Sequence, residues 1–180
     1  MKSSKSLIAA IVLATASLGA GMAKAAVIVT PDQALDLVGT SAFFGDAFDI
    51  NNVGNTFSEN FTFSVTGVPA NLDAIVSSIS RTAATGLDIT GLGLFTSTGT
   101  QVSLGTSQSA GAIDVWTVTS DNLALGSYDL QVSGTVVSNT SGAFGGAMML
   151  APVPEPGAYG MMLAGLGVVG FIGLRRRQQK

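Results

Sequence analysis

The sequence predicts an all-β fold: an antiparallel β-sandwich of Greek-key or jelly-roll-like form, flanked by an N-terminal signal peptide and a C-terminal transmembrane helix. Three observations point there. The middle of the chain is rich in Val, Thr, Phe and Gly and lacks helical periodicity. Apolar and polar residues alternate in several short runs, as strands with one buried face require. Those runs are separated by Gly, Asn and Ser turns, which suggests a sandwich rather than an α/β fold.

At the N-terminus, MKSSKSLIAAIVLATASLGAGMAKAA opens with the cationic Lys2 and Lys5, and an apolar stretch from Leu7 to Ala20 follows. Ala23 and Ala25 then supply small residues at the positions a signal peptidase reads. Residues 1–25 are therefore expected to be a cleaved signal peptide. The body is expected over 26–151. In TPDQALDLVG, Thr30 with Gln33 predicts the cap of a short helix ending before Gly39. The run NFTFSVTG directs Phe61, Phe63 and Val65 to one face and Thr62, Ser64 and Thr66 to the other.

Strands are expected at 72–80 and 86–95. LFTSTGTQVSL reads as two strands joined around Ser97-Thr98-Gly99-Thr100, with Gly99 free to take positive φ. Further strands fall at 113–119 and 143–150. In YDLQVSGTV, Tyr128, Leu130, Val132 and Val136 share a face opposite Asp129, Gln131, Ser133 and Thr135. LALGSY, ending at Tyr128, resembles the tyrosine corner of Greek-key sandwiches, where a Tyr entering a strand returns its hydroxyl to nearby backbone.

Composition narrows the chemistry. The chain has no Cys, so an exported body must hold together by its core alone, and the 128 residues from Ala26 to Val153 are enough for one. Over that span ten carboxylates face Arg81 as the single base, a formal −9. A nucleic-acid-binding surface needs Lys and Arg to displace counterions, so nucleic acid is excluded as a partner. Without His or Cys the body builds no His-bearing zinc site, Cys nucleophile or Ser-His-Asp triad. No catalytic residue, cofactor or resident metal is expected, and the body reads as a non-enzyme.

Three weaker chemical readings stand beside that one. A glycosidase-type carboxylate pair is formally available among ten acids, though scattered Asp is usually solvated surface. Asp46, Asp49 and Asn51, with Asn52 and Asn55, offer hard oxygens for calcium but lack EF-hand spacing, and Asp and Asn are also ordinary turn residues. Trp116 could stack on a sugar, as in a carbohydrate-binding module, or lie in the core. The sequons at Asn60 and Asn139 read as chance.

The tail, 152–180, is organised differently. Gly157 to Leu174 carries no charge, about 27 Å as a helix against a hydrocarbon core of about 30 Å. Glycines at 160, 165, 167, 170 and 173 dilute its apolarity. Arg175, Arg176 and Arg177 follow, and positive charge is retained on the cytoplasmic side of the inner membrane. Pro154 and Pro156 hold Val153-Pro154-Glu155-Pro156 extended at the membrane face.

Val153-Pro154-Glu155-Pro156, the Gly- and Leu-rich span and the Arg175-Arg176-Arg177 cluster together resemble the PEP-CTERM sorting signal of Gram-negative bacteria. The resemblance implies processing by an exosortase, a membrane enzyme similar to a Cys-His-Arg transpeptidase. Phe44-Gly45-Asp46-Ala47-Phe48 fits the FxDxF subfamily, whose motif residues would be Phe44, Asp46 and Phe48. Phe44 and Phe48 are most simply core residues, or, if exposed, an interaction patch. The family is associated with exopolysaccharide and biofilm matrix. The expectation is a structural or adhesive protein, exported, transiently anchored in the inner membrane, trimmed by the exosortase and placed at the surface or in that polysaccharide. The alternatives are a carbohydrate-binding module or a polysaccharide hydrolase.

Overall fold

A computed structural model describes residues 25–153 and 156–177. Two short strands, β1 (Val27–Ile28) and β2 (Gln33–Ala34), precede the long ones. These are β3 (Ser41–Phe48), β4 (Thr56–Val65), β5 (Ala70–Ile79) and β6 (Leu87–Thr96). After β7 (Gln101–Leu104) and β8 (Thr106–Ser109) come β9 (Ile113–Leu123), β10 (Gly126–Val136) and β11 (Gly142–Pro152). A helix, α1 (Pro156–Arg177), follows.

One sheet runs β1-β4-β10-β6-β7, with β2 also on β4; the other runs β3-β11-β5-β9-β8. The long ladders are all antiparallel, as expected of a sandwich. Only β1 and β2 run parallel to β4, touching it over two residues each. From β3 to β6 the chain steps from one sheet to the other at each connection, so neighbours in sequence face each other across the core.

The alternation read from the sequence is the packing pattern. Phe57, Phe61, Phe63 and Val65 of β4 and Tyr128, Leu130, Val132 and Val136 of β10 are buried, against Leu72 and Val76 of β5 and Phe144 and Met148 of β11. In β6 the phase changes part-way: Leu87 and Ile89 are buried, then Leu92 and Leu94. Ser133 pairs with Gly91 and the next residue, Gly134, with Ile89, so a bulge at Thr90 turns the strand over by one residue. The turn at Ser97–Thr100 forms as expected, with Gly99 at φ 82°.

Tyr128 makes the expected corner. Its hydroxyl donates to the Ala124 carbonyl at 2.9 Å, and its ring stacks on Phe63. Tyr128→Phe keeps the ring and removes the bond. It is expected to cost about 1 kcal/mol, read as a lower denaturant midpoint at unchanged slope.

Two expectations are corrected. No helix forms at Thr30–Gly39: the segment is extended, and the Leu35 amide donates to the Thr62 carbonyl at 2.8 Å. Leu35 and Leu37 both pack on the core, a spacing of two that a strand satisfies and a helix does not. The second concerns the transmembrane helix. A helix does form at Pro156–Arg177, but among the described residues none is long and apolar enough to cross a membrane. Gly160, Gly165, Gly167 and Gly170 add no apolar surface to it. Of the terminal signals, residues 1–24, hence Ala23, and Pro154 and Glu155 lie outside the described residues, while Ala25 and Arg175 are exposed.

Candidate functional site

Two regions qualify, one inside the sandwich and one at the tail. Along β3, Phe44, Asp46 and Phe48 are two residues apart and point inward, while Phe43 points out and is 86% exposed. Phe44 and Phe48 are buried, so the motif phenylalanines are core residues and not a surface patch.

The opposite sheet carries a matching series on β4: Phe57, Glu59, Phe61. The two run in opposite directions, Phe44 against Phe61 with ring centroids 5.0 Å apart and Phe48 against Phe57 at 4.6 Å. Phe144 of β11 closes the group, stacked on Phe57 at 5.7 Å and edge-on to Phe61 at 6.1 Å. Asp46 and Glu59, each midway along its series, are therefore brought level between two phenylalanine pairs.

Glycines make the room. Two of the rings lie over cross-strand glycines: Phe44 over Gly146, with which it pairs, and Phe57 over Gly134. A Cβ on Gly134 would meet Phe57 Cζ at 2.5 Å and the Asp88 carbonyl oxygen closer still.

Three polar residues are buried in the body: Glu59, Ser78 and Asp114. Ser78 donates to the Leu87 carbonyl at 3.3 Å. Asp114 accepts from the Ile89 amide at 3.1 Å and the Gly111 amide at 2.8 Å. Glu59, 1% exposed, has no hydrogen-bond partner for either carboxylate oxygen among the described residues. Burial raises its pKa above the ordinary value, and the neighbouring charge of Asp46 raises it further. Asp46, partly buried, accepts from the Ala47 amide at 2.7 Å.

The acidic turn between β3 and β4 is arranged otherwise. Asp49 and Asn51 are exposed, and Asp46 points away from them into the sandwich. Asn52 donates its amide to the Asp49 carbonyl at 3.0 Å, and Asn55 donates to the Asn52 side chain at 3.4 Å. Asn51, at φ 71°, donates its backbone N–H to the Asn139 side chain. These side chains hold the turn itself. Trp116 is partly buried against the core, its indole N–H donating to the Ile89 carbonyl at 2.8 Å.

In the sequence Glu59 is hidden as one of ten scattered acids. Extending the alternation of Phe61, Phe63 and Val65 backward by two residues is the signal that would place it inside.

At the tail, Val153 is tied to the body by its amide, which donates to the Pro69 carbonyl at 2.8 Å. The extended β11 and the helix α1 thus flank Pro154 and Glu155 on either side.

Comparison with known proteins gives three results. No curated protein sequence matches the chain. Among solved structures, the pre-peptidase C-terminal domain of collagenase from Bacillus anthracis is similar at 17% identity, covering 67% of this chain and 99% of that one, with a TM-score of 0.39. Residues 152–177 match the PEP-CTERM protein-sorting motif. That motif implies export, transient membrane anchoring and processing by an exosortase. The chain thus carries a PEP-CTERM sorting signal at residues 152–177.

Proposed function

We propose that this protein is a non-enzymatic structural or adhesive component of the Gram-negative cell surface or its exopolysaccharide matrix, and a member of the FxDxF subfamily. The sorting motif carries the reading, because it supports export and processing by an exosortase. The inward-facing Phe44, Asp46 and Phe48 support the subfamily: the motif is the spine of the core. Against catalysis, the two acids that do face each other lie between phenylalanine pairs inside the sandwich and not along an open cleft.

An adhesive role is supported by the outer face of the β3-β11-β5 sheet. Phe43 and Ile75 both pair with Ala147, and with Met149 they form an exposed apolar strip along the body.

Mass spectrometry of the protein recovered outside the cell tests the sorting step. The expected form begins at Ala26 and lacks α1. Glu155→Ala is expected to leave the tail attached and the protein with the membrane fraction. An intact tail on the extracellular wild-type protein would refute the reading.

A further inference from the structure

Glu59 is a buried carboxylate with nothing to answer it. An ionised carboxylate in apolar surroundings is strongly disfavoured unless a counter-charge or a proton neutralises it. Arg81, the one base of the body, is exposed in the turn between β5 and β6 and supplies no counter-charge here. A proton, which burial and the Asp46 charge both favour, would remove the charge but not the unmet polar atoms. The protonated group would carry a buried O–H with no acceptor, since no hydrogen bond joins Glu59 to Asp46 or to anything else among the described residues.

The surroundings fit a cation better. Asp46 approaches from the opposite sheet at the level of Glu59, in the middle of the two facing phenylalanine series. The N-terminal segment supplies a third oxygen. Val27 pairs with Thr56 and Ile28 with Phe57, which carries Thr30 to the level of Glu59. Thr30 lies two residues beyond Ile28, which packs on the core, and its hydroxyl oxygen is likewise buried without a partner. Three separate stretches of chain thus bring hard oxygen groups to one edge of the sandwich. That edge is where β3 ends its sheet and only β1 and β2 cover β4.

We infer that Asp46, Glu59 and the Thr30 hydroxyl form a calcium site joining the N-terminal segment to both sheets. Two carboxylates match the charge of a divalent ion, and an all-oxygen set selects calcium over softer metals. Backbone carbonyls and water complete the six to eight ligands calcium takes. The aspartate of the F-x-D-x-F motif is then a ligand, and its phenylalanines are the walls that exclude water from it. The turn residues Asp49 and Asn51 play no part.

The test is thermal melting and calorimetric titration of the purified chain, stripped with EDTA and returned to calcium chloride. Extracellular calcium modules bind at about 10⁻⁴–10⁻³ M, so the titration runs to about 10 mM. One ion is expected per chain, with a melting temperature raised by about 5–8 °C near saturation. Asp46→Asn and Glu59→Gln should each abolish that calcium-dependent shift, while Asp49→Asn should keep it. Thr30→Val should weaken binding about tenfold, as loss of one neutral ligand. If Glu59→Gln fails to fold, Asp46→Asn tests the same site from the other sheet. A wild-type melting temperature indifferent to calcium and EDTA would overturn the site, and so would a shift that persists undiminished in Asp46→Asn.

Discussion

Phe61→Ala is expected to destabilise the body by about 3–5 kcal/mol, a large part of the roughly 5–15 kcal/mol a domain of this size has in hand. Phe61 is 0% exposed and sits where both sheets meet, its ring 5.0 Å from Phe44 and edge-on to Phe144. Removing it opens a cavity that its neighbours cannot fill, because Phe44 is held over Gly146 and Phe144 is stacked on Phe57. Two aromatic contacts worth about 0.5–1.5 kcal/mol each go with it. The melting temperature should fall by about 15 °C. Phe43→Ala is the internal control: one residue away from Phe44 but on the outer face, it should change stability by less than about 0.5 kcal/mol. Equal losses in the two variants would mean that the outer strip is itself buried against something, and the inward stripe would lose its special status.

That contrast rests on strand phase, and phase is what the sequence displays most clearly. Phe61, Phe63 and Val65 alternate without interruption, as do Tyr128, Leu130 and Val132, and each series is buried as read. Pairing is far less visible. β3 and β4 adjoin in sequence but lie in opposite sheets, and β10 sits between β4 and β6, because any alternating strand satisfies any partner. The bulge at Thr90 is hidden for a related reason: Leu87, Ile89, Leu92 and Leu94 show a broken alternation only once their neighbours are known.

Local signals mislead where tertiary pairing outweighs them. Thr30 and Gln33 have the spacing of a helix cap, yet Leu35 and Leu37 gain more by packing on the core at strand spacing, and Leu35 bonds to Thr62. The acids of the turn after β3 stand out as oxygen ligands because they cluster in sequence. The pair that the fold brings together, Asp46 and Glu59, is thirteen positions apart and comes from two sheets. Contact made across the core leaves no spacing signature. At the tail, by contrast, the sorting signal is linear, so its parts are legible in order without any fold.

Gly146→Val should be as damaging as the loss of Phe61, for the opposite reason. Gly146 faces inward on β11 between Phe144 and Met148, and Phe44 of the neighbouring strand lies across it. A Cβ there would meet Phe44 Cε2 at 2.5 Å and the Ile75 carbonyl oxygen at 2.6 Å. A swing of the ring toward the core is blocked by Phe61, its centroid 5.0 Å away. The carbonyl is fixed by the β5–β11 ladder. Overpacking of this kind costs about 1–3 kcal/mol when side chains alone must shift, and more when backbone must, so about 3 kcal/mol or above is expected for valine. Alanine, with the same Cβ and no branches, should retain most of the penalty. Gly145→Ala provides the decisive comparison. Its Cβ would point to open space on the outer face of the same strand, so the substitution should be neutral or stabilising by up to about 1 kcal/mol. Denaturant midpoints of the three variants check this. A Gly146→Ala midpoint equal to that of Gly145→Ala would show that the Phe44 ring is not packed over the glycine. The wall it provides for Asp46 and Glu59 would then have to be sought elsewhere.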